Sequence, residues 1–272
     1  EIPKRDWSSD VCSSDLSNYF SDDLNIVDLR ETSSHSVTRV SLSPTSPSDS
    51  ERLSLERRGE MLFHDANIGF QGWQSCSSCH PEGQSDGLNW DLLNDGVGNP
   101  KNTKSLLYSM QTPPSMSEGV RATADYAVRS GLRHILYAER SEEDTQSLNA
   151  YLQSMLPSPN PVRNNQSMHD KITRGMLLFY DKKIGCIQCH YGFYYTDLRS
   201  YNVGTRNQLD RTDIFDNPTL RELWRTAPYL HDGRAATLRE IFSTWNPADR
   251  HGHTSPLTEE QLADLEAFLL SL

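Results

Sequence analysis

The feature that most constrains this chain is a cysteine motif that occurs twice. The sequence CSSCH lies at 76–80 and CIQCH at 186–190, so four of the five cysteines form two pairs of identical spacing. Two thiols one helical turn apart point the same way and can bond to the two vinyl groups of one haem, while the next imidazole ligates the iron. The pattern predicts two c-type haems, held by Cys76, Cys79 and His80 and by Cys186, Cys189 and His190.

Two other roles for the cysteine pairs compete with haem attachment. A zinc site could use all four cysteines, but zinc-binding pairs usually lie about 15–20 residues apart, whereas these pairs lie 110 residues apart. A thioredoxin-like redox pair needs a strand and a helix around it, which the flanking sequence does not offer. Neither alternative requires the histidine that follows both pairs, so haem attachment is the favoured interpretation.

The chain also contains an internal duplication. The sequence RGEMLFHD at 58–65 resembles RGMLLFYD at 174–181, and the two glycines lie 116 residues apart. The segments 141–155 and 258–272 are also alike, and each begins with the pattern of a helix capping box. Each repeat is therefore predicted to run helix, cysteine pair, loops, helix. The predicted fold class is all-α, with two cytochrome-c-like haem domains in tandem at 51–156 and 171–272.

The remaining segments have distinct compositions. Alternating prolines at the start of 157–170 restrict the backbone and predict an extended linker between the two domains. The serine-rich segment 17–50 contains two short β-like runs, 24–29 and 37–42. Residues 10–16 can be back-translated to the end of a common sequencing-library adapter. We therefore expect 1–16 to be an artefact and the native N-terminus, with any export signal, to lie upstream.

Composition excludes several classes of protein. The net charge of -11 repels phosphate backbones, so nucleic acid is not expected as a partner. The longest wholly apolar or aromatic run, 176–180, is five residues, far below the ~20 that span a membrane. Only 35% of the residues are hydrophobic, so a large apolar cofactor would complete the core. Because c-type haems are attached outside the bacterial cytoplasm, we expect a periplasmic or otherwise extracytoplasmic protein.

Further stretches carry a resemblance to a known family. The sequences YNVGT at 201–205 and NPTLRELWRTAPYLHDG at 217–233, beside two haem motifs, resemble the di-haem cytochrome c peroxidases, which include the MauG-like enzymes, over roughly 53–272. The resemblance implies an oxidoreductase with one reactive haem that meets hydrogen peroxide and one haem that transfers electrons. It also implies a small electron-donor protein as redox partner.

The first repeat, with DGLNWD at 86–91 and NTKSL at 102–106, resembles a branch of that family in which the di-haem unit follows a β-propeller. This resemblance implies an upstream propeller domain in the full-length protein, with 17–50 as a remnant of its last blade. One alternative stays open: a di-haem electron-transfer module without enzymatic activity, attached to the propeller.

The resemblance assigns roles to individual positions. The family's distal ligand to the second haem lies fourteen residues after His231, on Trp245, whose indole is not a useful iron ligand. A tryptophan that lies between the haems in the peroxidases falls here on Ser117. The acidic residue expected near the reactive haem has no clean counterpart; Glu139 falls close to its place if two residues are inserted, with a solvated helix-end charge as the alternative. His231 is expected to hydrogen-bond a haem propionate or to organise the region between the domains. Glu139 and His231 are therefore the catalytic candidates.

The family also binds calcium between its domains, through an asparagine side chain and backbone carbonyls. Asn102, Thr226 and Pro228 match those positions and are candidate calcium ligands, with ordinary turn residues as the alternative. Five residues carry a thioether or an imidazole that could ligate iron on the distal side, and spacing selects none of them: Met110, Met116, His134, His251 and His253. The first repeat, which has no evident distal ligand, is the expected reactive site. Trp73 and Trp90 flank its motif and are expected to cover haem faces.

Overall fold

The computed structural model describes residues 13–18, 23–29, 36–42, 53–91 and 98–272. The chain divides into two compact units, Glu1–Ser54 and Leu55–Leu272. In the first unit, β1 (Ser13–Asn18), β2 (Asp23–Asp28) and β3 (Val37–Ser41) form an antiparallel sheet in that order.

Two of these strands match the β-like runs of the sequence, and the third does not. β2 and β3 cover most of 24–29 and 37–42. β1 begins within 1–16, the segment expected to be an artefact, so no strand was predicted there. The adapter origin of 1–16 stays a prediction.

The second unit is helix-rich, as predicted. Its helices are α1 (Leu55–His64), α2 (Cys76–Cys79), α3 (Ala124–His134), α4 (Glu142–Ser154), α5 (His169–Tyr180), α6 (Leu238–Ser243) and α7 (Glu259–Leu270). Two short antiparallel ribbons pair β4 (Asn89–Trp90) with β5 (Lys101–Asn102), and β6 (Ser200–Tyr201) with β7 (Phe215–Asp216). Among the described residues, none of the helices has the length and apolar character needed to cross a bilayer.

Side-chain caps fix where the two helices that close the repeats begin. The Ser141 hydroxyl accepts a hydrogen bond from the Asp144 amide at the start of α4. At the start of α7, Thr258 and Gln261 form a capping box in which each side chain accepts from the other's backbone amide. These bonds satisfy amide groups that have no partner within the helix. The capping pattern of the sequence therefore marks both helix starts correctly.

The helix at the start of each repeat packs against the helix at its end, and a glycine sits at each crossing. α1 packs on α4 at Gly59, where an added Cβ would lie 1.9 Å from the Ser147 carbonyl oxygen. α5 packs on α7 at Gly175, where an added Cβ would lie 1.9 Å from the Asp264 carbonyl oxygen. No other residue type lets the backbones approach this closely. The shared glycine of the two repeats is thus explained by the same contact made twice.

Each repeat has its own hydrophobic core. We call residues 55–156 the first half and 157–272 the second half. The first core is built from Phe63, Ile68, Leu132, Leu136, Leu148 and Leu152. The second is built from Phe179, Leu223, Ala235, Leu238, Ile241, Leu265, Phe268 and Leu269. The division into two haem domains joined by a linker at 157–170 stays a prediction, and it agrees with the presence of two cores.

Candidate functional site

Both cysteine pairs lie on single helical turns. Cys76 and Cys79 begin and end α2, and Cys186 lies at the start of a 3₁₀ turn, Cys186–Gln188, that Cys189 ends. All four thiols are free. Burial raises the pKa of Cys76 to about 12 and that of Cys186 to about 11. Burial thus favours the neutral thiol in both pairs over the free thiolate that a redox pair uses.

The histidine that follows each pair is buried and oriented by a backbone carbonyl. The His80 Nδ1 donates to the Gln84 carbonyl oxygen at 3.1 Å, and the His190 Nδ1 donates to the Tyr195 carbonyl oxygen at 3.0 Å. Burial lowers the pKa of both imidazoles. A neutral ring that donates through Nδ1 keeps a lone pair on Nε2, which is the arrangement of a metal-ligating histidine.

Each motif lines its own cavity. The first cavity has a volume of about 260 Å³ and is lined by Cys76, Cys79 and His80 together with apolar side chains such as Phe63 and Leu148. The second has a volume of about 350 Å³ and is lined by Cys186, Cys189 and His190 together with side chains such as Phe179 and Leu238. Paired thiols, an oriented imidazole and an apolar wall are the donor set and surroundings that a c-type haem requires.

The second cavity contains an additional histidine, His251. Its ring centroid lies 6.2 Å from that of His190, with an angle of 37° between the ring planes. Its Nδ1 is buried and has no hydrogen-bond partner among the described residues. Burial, and then the proximity of His190, lower the pKa of His251 to about 4. The structure thus brings together two histidines that lie 61 residues apart in the sequence.

Comparison with known proteins identifies the family. The family model described as di-haem cytochrome c peroxidase matches residues 54–177. The chain is 32% identical to hydrazine synthase subunit gamma of Kuenenia stuttgartiensis, over 81% of this chain and 78% of that protein. It is 24% identical to the methylamine utilization protein MauG of Methylophilus methylotrophus, over 82% of this chain and 80% of that protein. The chain belongs to the di-haem cytochrome c peroxidase and MauG family.

Solved structures agree with this assignment. A chain of Kuenenia stuttgartiensis hydrazine synthase superposes with a TM-score of 0.75 at 29% identity, covering 85% of this chain and 89% of that one. A MauG-like protein associated with microbial copper homeostasis superposes with a TM-score of 0.62 at 21% identity, covering 84% and 91%, and this likeness concerns the fold alone. Membership implies c-type haems and a peroxidase-like oxidoreductase that meets peroxide and a redox partner.

A polar partition separates the two cavities of this family member. The residues that line both cavities are Asn102, Thr103, Lys104, Ser105, Ser117, Asp216, Asn217, Pro218 and Thr219. Within the partition, the Lys104 Nζ lies 2.7 Å from an Asp216 carboxylate oxygen, and the Asp216 amide donates to the Ser117 carbonyl oxygen at 2.9 Å. Ser117, at the position where the family resemblance expects a tryptophan, lies between the cavities. Burial raises the pKa of Asp216 despite its lysine partner.

His231 lies on the wall of the second cavity and links the two halves. Its Nε2 is 2.8 Å from an Asp210 carboxylate oxygen, and its ring stacks on Phe215 with centroids 3.9 Å apart. Asp210 also pairs with Lys101 of the first half at 3.0 Å, and the His231 carbonyl accepts from the Asn102 amide at 2.9 Å. Burial lowers the pKa of His231, against the influence of the nearby carboxylates. These contacts agree with a role in organising the region between the halves.

The structure separates the other iron-ligand candidates. Met116 lines the first cavity, and Met110 packs against the first hydrophobic core. His134 is exposed at the end of α3, and the His253 side chain is 68% exposed beside Asp249. Neither histidine lies among the residues that line a cavity.

The remaining predicted residues divide in the same way. Glu139 is exposed and does not line either cavity, so we do not retain it as a catalytic candidate. Two carboxylates line the first cavity among the described residues, Asp216 and Glu118. Glu118 lies 3.2 Å from the Lys101 Nζ. Sequence reasoning missed Glu118, although it directly follows Ser117. Trp90 lines the first cavity, whereas Trp73 is 52% exposed and does not cover it.

The three candidate calcium ligands line the same cavity. Asn102, Thr226 and Pro228 all line the second cavity. Asn102 is buried, and its Nδ2 donates to the Asn89 side-chain oxygen at 3.2 Å. Among the described residues, no group of three or more histidine, cysteine or carboxylate side chains could hold a metal ion. Calcium therefore stays a prediction that would depend on amide and backbone oxygens.

Proposed function

We propose that this chain is a di-haem oxidoreductase in which the first cavity holds the haem that reacts with hydrogen peroxide and the second holds the haem that transfers electrons. The observation that carries the proposal is the difference between the cavities. Of the described residues that line the first cavity, only His80 has an imidazole, whereas His251 faces His190 in the second. A haem with an open position supplies peroxide chemistry, and one with both positions filled supplies electron transfer.

The absence of a side chain at Gly131 supports this division of roles. Gly131 lies in α3 on the cavity wall, and a Cβ added there would meet nothing within 4 Å. Gly131 lies fourteen positions after Ser117, and Trp245 lies fourteen positions after His231. Gly131 and Trp245 are therefore counterparts when the two repeats are aligned at Ser117 and His231. Trp245 packs against the second core. The first half thus has a glycine, which offers no side chain to an iron, where the second half has Trp245.

Reduction of one peroxide to two waters consumes two electrons and two protons, and a redox partner would supply the electrons. The Lys104–Asp216 ion pair and Ser117 lie in the partition between the two cavities. In the proposed function, electrons cross this polar wall from the second cavity to the first. Asn102 and His231, which are joined by a backbone hydrogen bond, hold the two halves in register across it.

Two alternatives keep the same cofactors. Met116 lines the first cavity and carries a thioether, so a second axial ligand there would give an electron-transfer module without peroxidase activity. The 32% identity to a subunit named for hydrazine synthesis favours a second candidate, in which the first cavity takes a small nitrogen compound within a larger assembly. The two alternatives differ from the proposed function in the spin state of the first haem and in its reaction with peroxide.

The location and domain context are part of the proposal. The two CxxCH motifs support an extracytoplasmic, bacterial location, because c-type haems are attached outside the bacterial cytoplasm. The antiparallel pairing of β2 with β3 supports the interpretation of 17–50 as a remnant of a propeller blade, which is built from four antiparallel strands.

The decisive test uses the full chain matured in a bacterial host that attaches c-type haems. Mass spectrometry should show two haems, and the resting ferric protein should show one high-spin haem. Rapid mixing of the diferrous protein with peroxide should oxidise both haems. Absence of any high-spin haem would support the electron-transfer module. A high-spin haem that is inert to peroxide and is oxidised by hydroxylamine would support the nitrogen-compound candidate.

A variant locates the reaction in the first cavity. Gly131→Met puts a thioether into the open space, and we expect it to remove the high-spin signal and to slow the reaction with peroxide at least tenfold. Gly131→Ala adds only a methyl group and should keep both. A Gly131→Met protein that reacts at the unaltered rate would place the reaction elsewhere and would refute the assignment.

A further inference from the structure

The spacing of His190 and His251 fits an iron atom held between them. The ring centroids are 6.2 Å apart. A direct hydrogen bond between two imidazole nitrogens at ~2.9 Å would bring the centroids to roughly 5 Å, and no such bond joins these rings. Two metal–nitrogen bonds of about 2 Å would place the centroids roughly 6 Å apart. The observed separation is thus that of two rings on opposite sides of one metal.

A network around a buried asparagine holds the loop that carries His251. The His251 amide donates to the Asn246 side-chain oxygen at 2.8 Å. The Asn246 Nδ2 in turn donates to the Gly252 carbonyl oxygen at 2.8 Å and to the Thr254 hydroxyl at 3.0 Å. Asn246 is only 4% exposed. The loop is therefore fixed on both sides of His251 by one side chain.

The same loop is fastened to the segment that precedes the cysteine pair. The His253 amide donates to the Ile184 carbonyl oxygen at 2.8 Å. A Cβ added to Gly252 would lie 3.2 Å from that oxygen and 3.9 Å from the Cys186 Sγ. These contacts seat the loop directly beside Cys186. His251 is thus positioned by the elements that also position the predicted attachment site.

A ring nitrogen of His251 lacks the partner that its burial requires. Its Nδ1 is inaccessible to solvent and is not hydrogen-bonded to any described residue. Buried polar atoms are nearly always satisfied, so an unsatisfied one indicates a missing ligand, ion or water. An imidazole that ligates iron through one nitrogen commonly donates its other N–H to a carboxylate, a backbone carbonyl or a water. The unpartnered Nδ1 therefore leaves a position for such a water or for the metal itself.

The first half has a histidine at the matching repeat position and does not use it in this way. His134 and His251 each lie seven residues before the serine or threonine that caps the last helix of their repeat. α3 continues as a helix up to His134 and leaves it exposed. α6 ends at Ser243, and the loop that follows brings His251 into the second cavity.

We propose that His251 is the second axial ligand to the iron of the haem held by Cys186, Cys189 and His190. This inference rests on the proposed function for the presence of that haem. Both axial positions of the second site are then filled by imidazoles. The iron is low-spin and closed to peroxide, and Asn246 acts as a positioning residue that keeps His251 in place.

The test is spectroscopic and uses the matured, full-length ferric protein. In the wild type, electron paramagnetic resonance should show one low-spin haem per chain with the signature of two imidazole ligands. His251→Ala should abolish this signal and double the high-spin intensity. His251→Met should keep a low-spin haem, with a new near-infrared sulfur-to-iron band and a higher reduction potential. His253→Ala, two residues away and exposed, is the matched control and should leave the spectrum unchanged.

The outcomes separate this inference from the proposed function. If two haems are attached and His251→Ala leaves the low-spin signal intact, His251 is not the ligand, whatever the reaction with peroxide. If the wild type is inert to peroxide and the low-spin signal still depends on His251, the proposed function fails and the ligand assignment stands. Should His251→Ala be too unstable to mature, a His251→Met protein without the sulfur band would refute the ligand assignment.

Discussion

Substituting alanine for Gly175 tests the helix crossing that organises the second half. An added Cβ would lie 1.9 Å from the Asp264 carbonyl oxygen and 2.8 Å from the Phe268 Cβ. Since ordinary contact begins near 3.4 Å, α5 and α7 must move apart by about 1.5 Å to admit the methyl group. Phe179, Leu265 and Phe268 pack at this interface and are at most 5% exposed, so the separation opens the second core.

The magnitude follows from two opposing effects. Overpacking costs typically 1–3 kcal/mol and occasionally more, and a gap of 0.5–1 Å already forfeits about a quarter to a half of each van der Waals contact. Because the whole crossing is displaced further than this, we take the upper end, about 3 kcal/mol. Alanine returns about 1 kcal/mol through its higher helix propensity. We expect Gly175→Ala to lower the free energy of unfolding by about 2 kcal/mol, and the Tm by roughly 4–8 °C.

Urea unfolding of the matured protein, followed by far-ultraviolet circular dichroism and checked by calorimetry, measures this loss. Leu177→Ala, on the same helix but 65% exposed, is the control and should change stability by less than about 0.5 kcal/mol. Gly59→Ala meets the Ser147 carbonyl at the same 1.9 Å and should lose as much as Gly175→Ala. A Gly175→Ala protein as stable as the wild type would refute the close-approach argument.

Two further predictions concern the network and the caps. Burial alone would raise the pKa of Asp210, but hydrogen bonds, among them that of Lys101, hold this pKa below its ordinary value. The Asp210 carboxylate therefore stabilises the fold at neutral pH, and this stabilisation is lost as the pH falls through the acidic range. Asp210→Asn should be less stable at pH 7 and should lose less stability than the wild type between about pH 5 and pH 2, the range in which this carboxylate becomes protonated. Urea midpoints measure both losses, and equal losses would contradict this. Thr258→Ala removes one side of the capping box with Gln261 and should cost about 1 kcal/mol in the same assay, whereas an unchanged midpoint would mean that the cap contributes nothing.

Local patterns predicted the parts of the molecule that depend on short-range geometry. The CxxCH spacing correctly indicated a helical turn at both cysteine pairs, and the repeated capping pattern indicated where α4 and α7 begin. The two glycines that lie 116 residues apart in the duplication are found at the two helix crossings. In each case the physical requirement lies within a few residues of the motif, or in a contact that the duplication repeats.

Long-range contacts could not be predicted in this way. Lys104 and Asp216 lie 112 residues apart and share no motif, so their pairing between the cavities has no local signal. His134 and His251 each lie seven residues before the cap of the last helix of their repeat, and spacing alone could not choose between them. The difference arises because α3 extends to His134 while α6 stops at Ser243. Helix length, which is set by the balance of tertiary contacts, decided which histidine reaches a cavity.

The duplication provides a physical reason why one fold can contain two different iron sites. Both halves share the crossing glycine, the cysteine pair and the oriented proximal histidine. They differ where the second half has Trp245 and a loop that turns inward with His251, while the first half has Gly131 and a helix that continues outward. In the second half His251 joins His190 in the cavity, whereas in the first half His80 is the one imidazole among the described residues that line the cavity. In the proposed function, a closed site and an open site would therefore need few changes to one repeat, and none of them lies in the attachment motif.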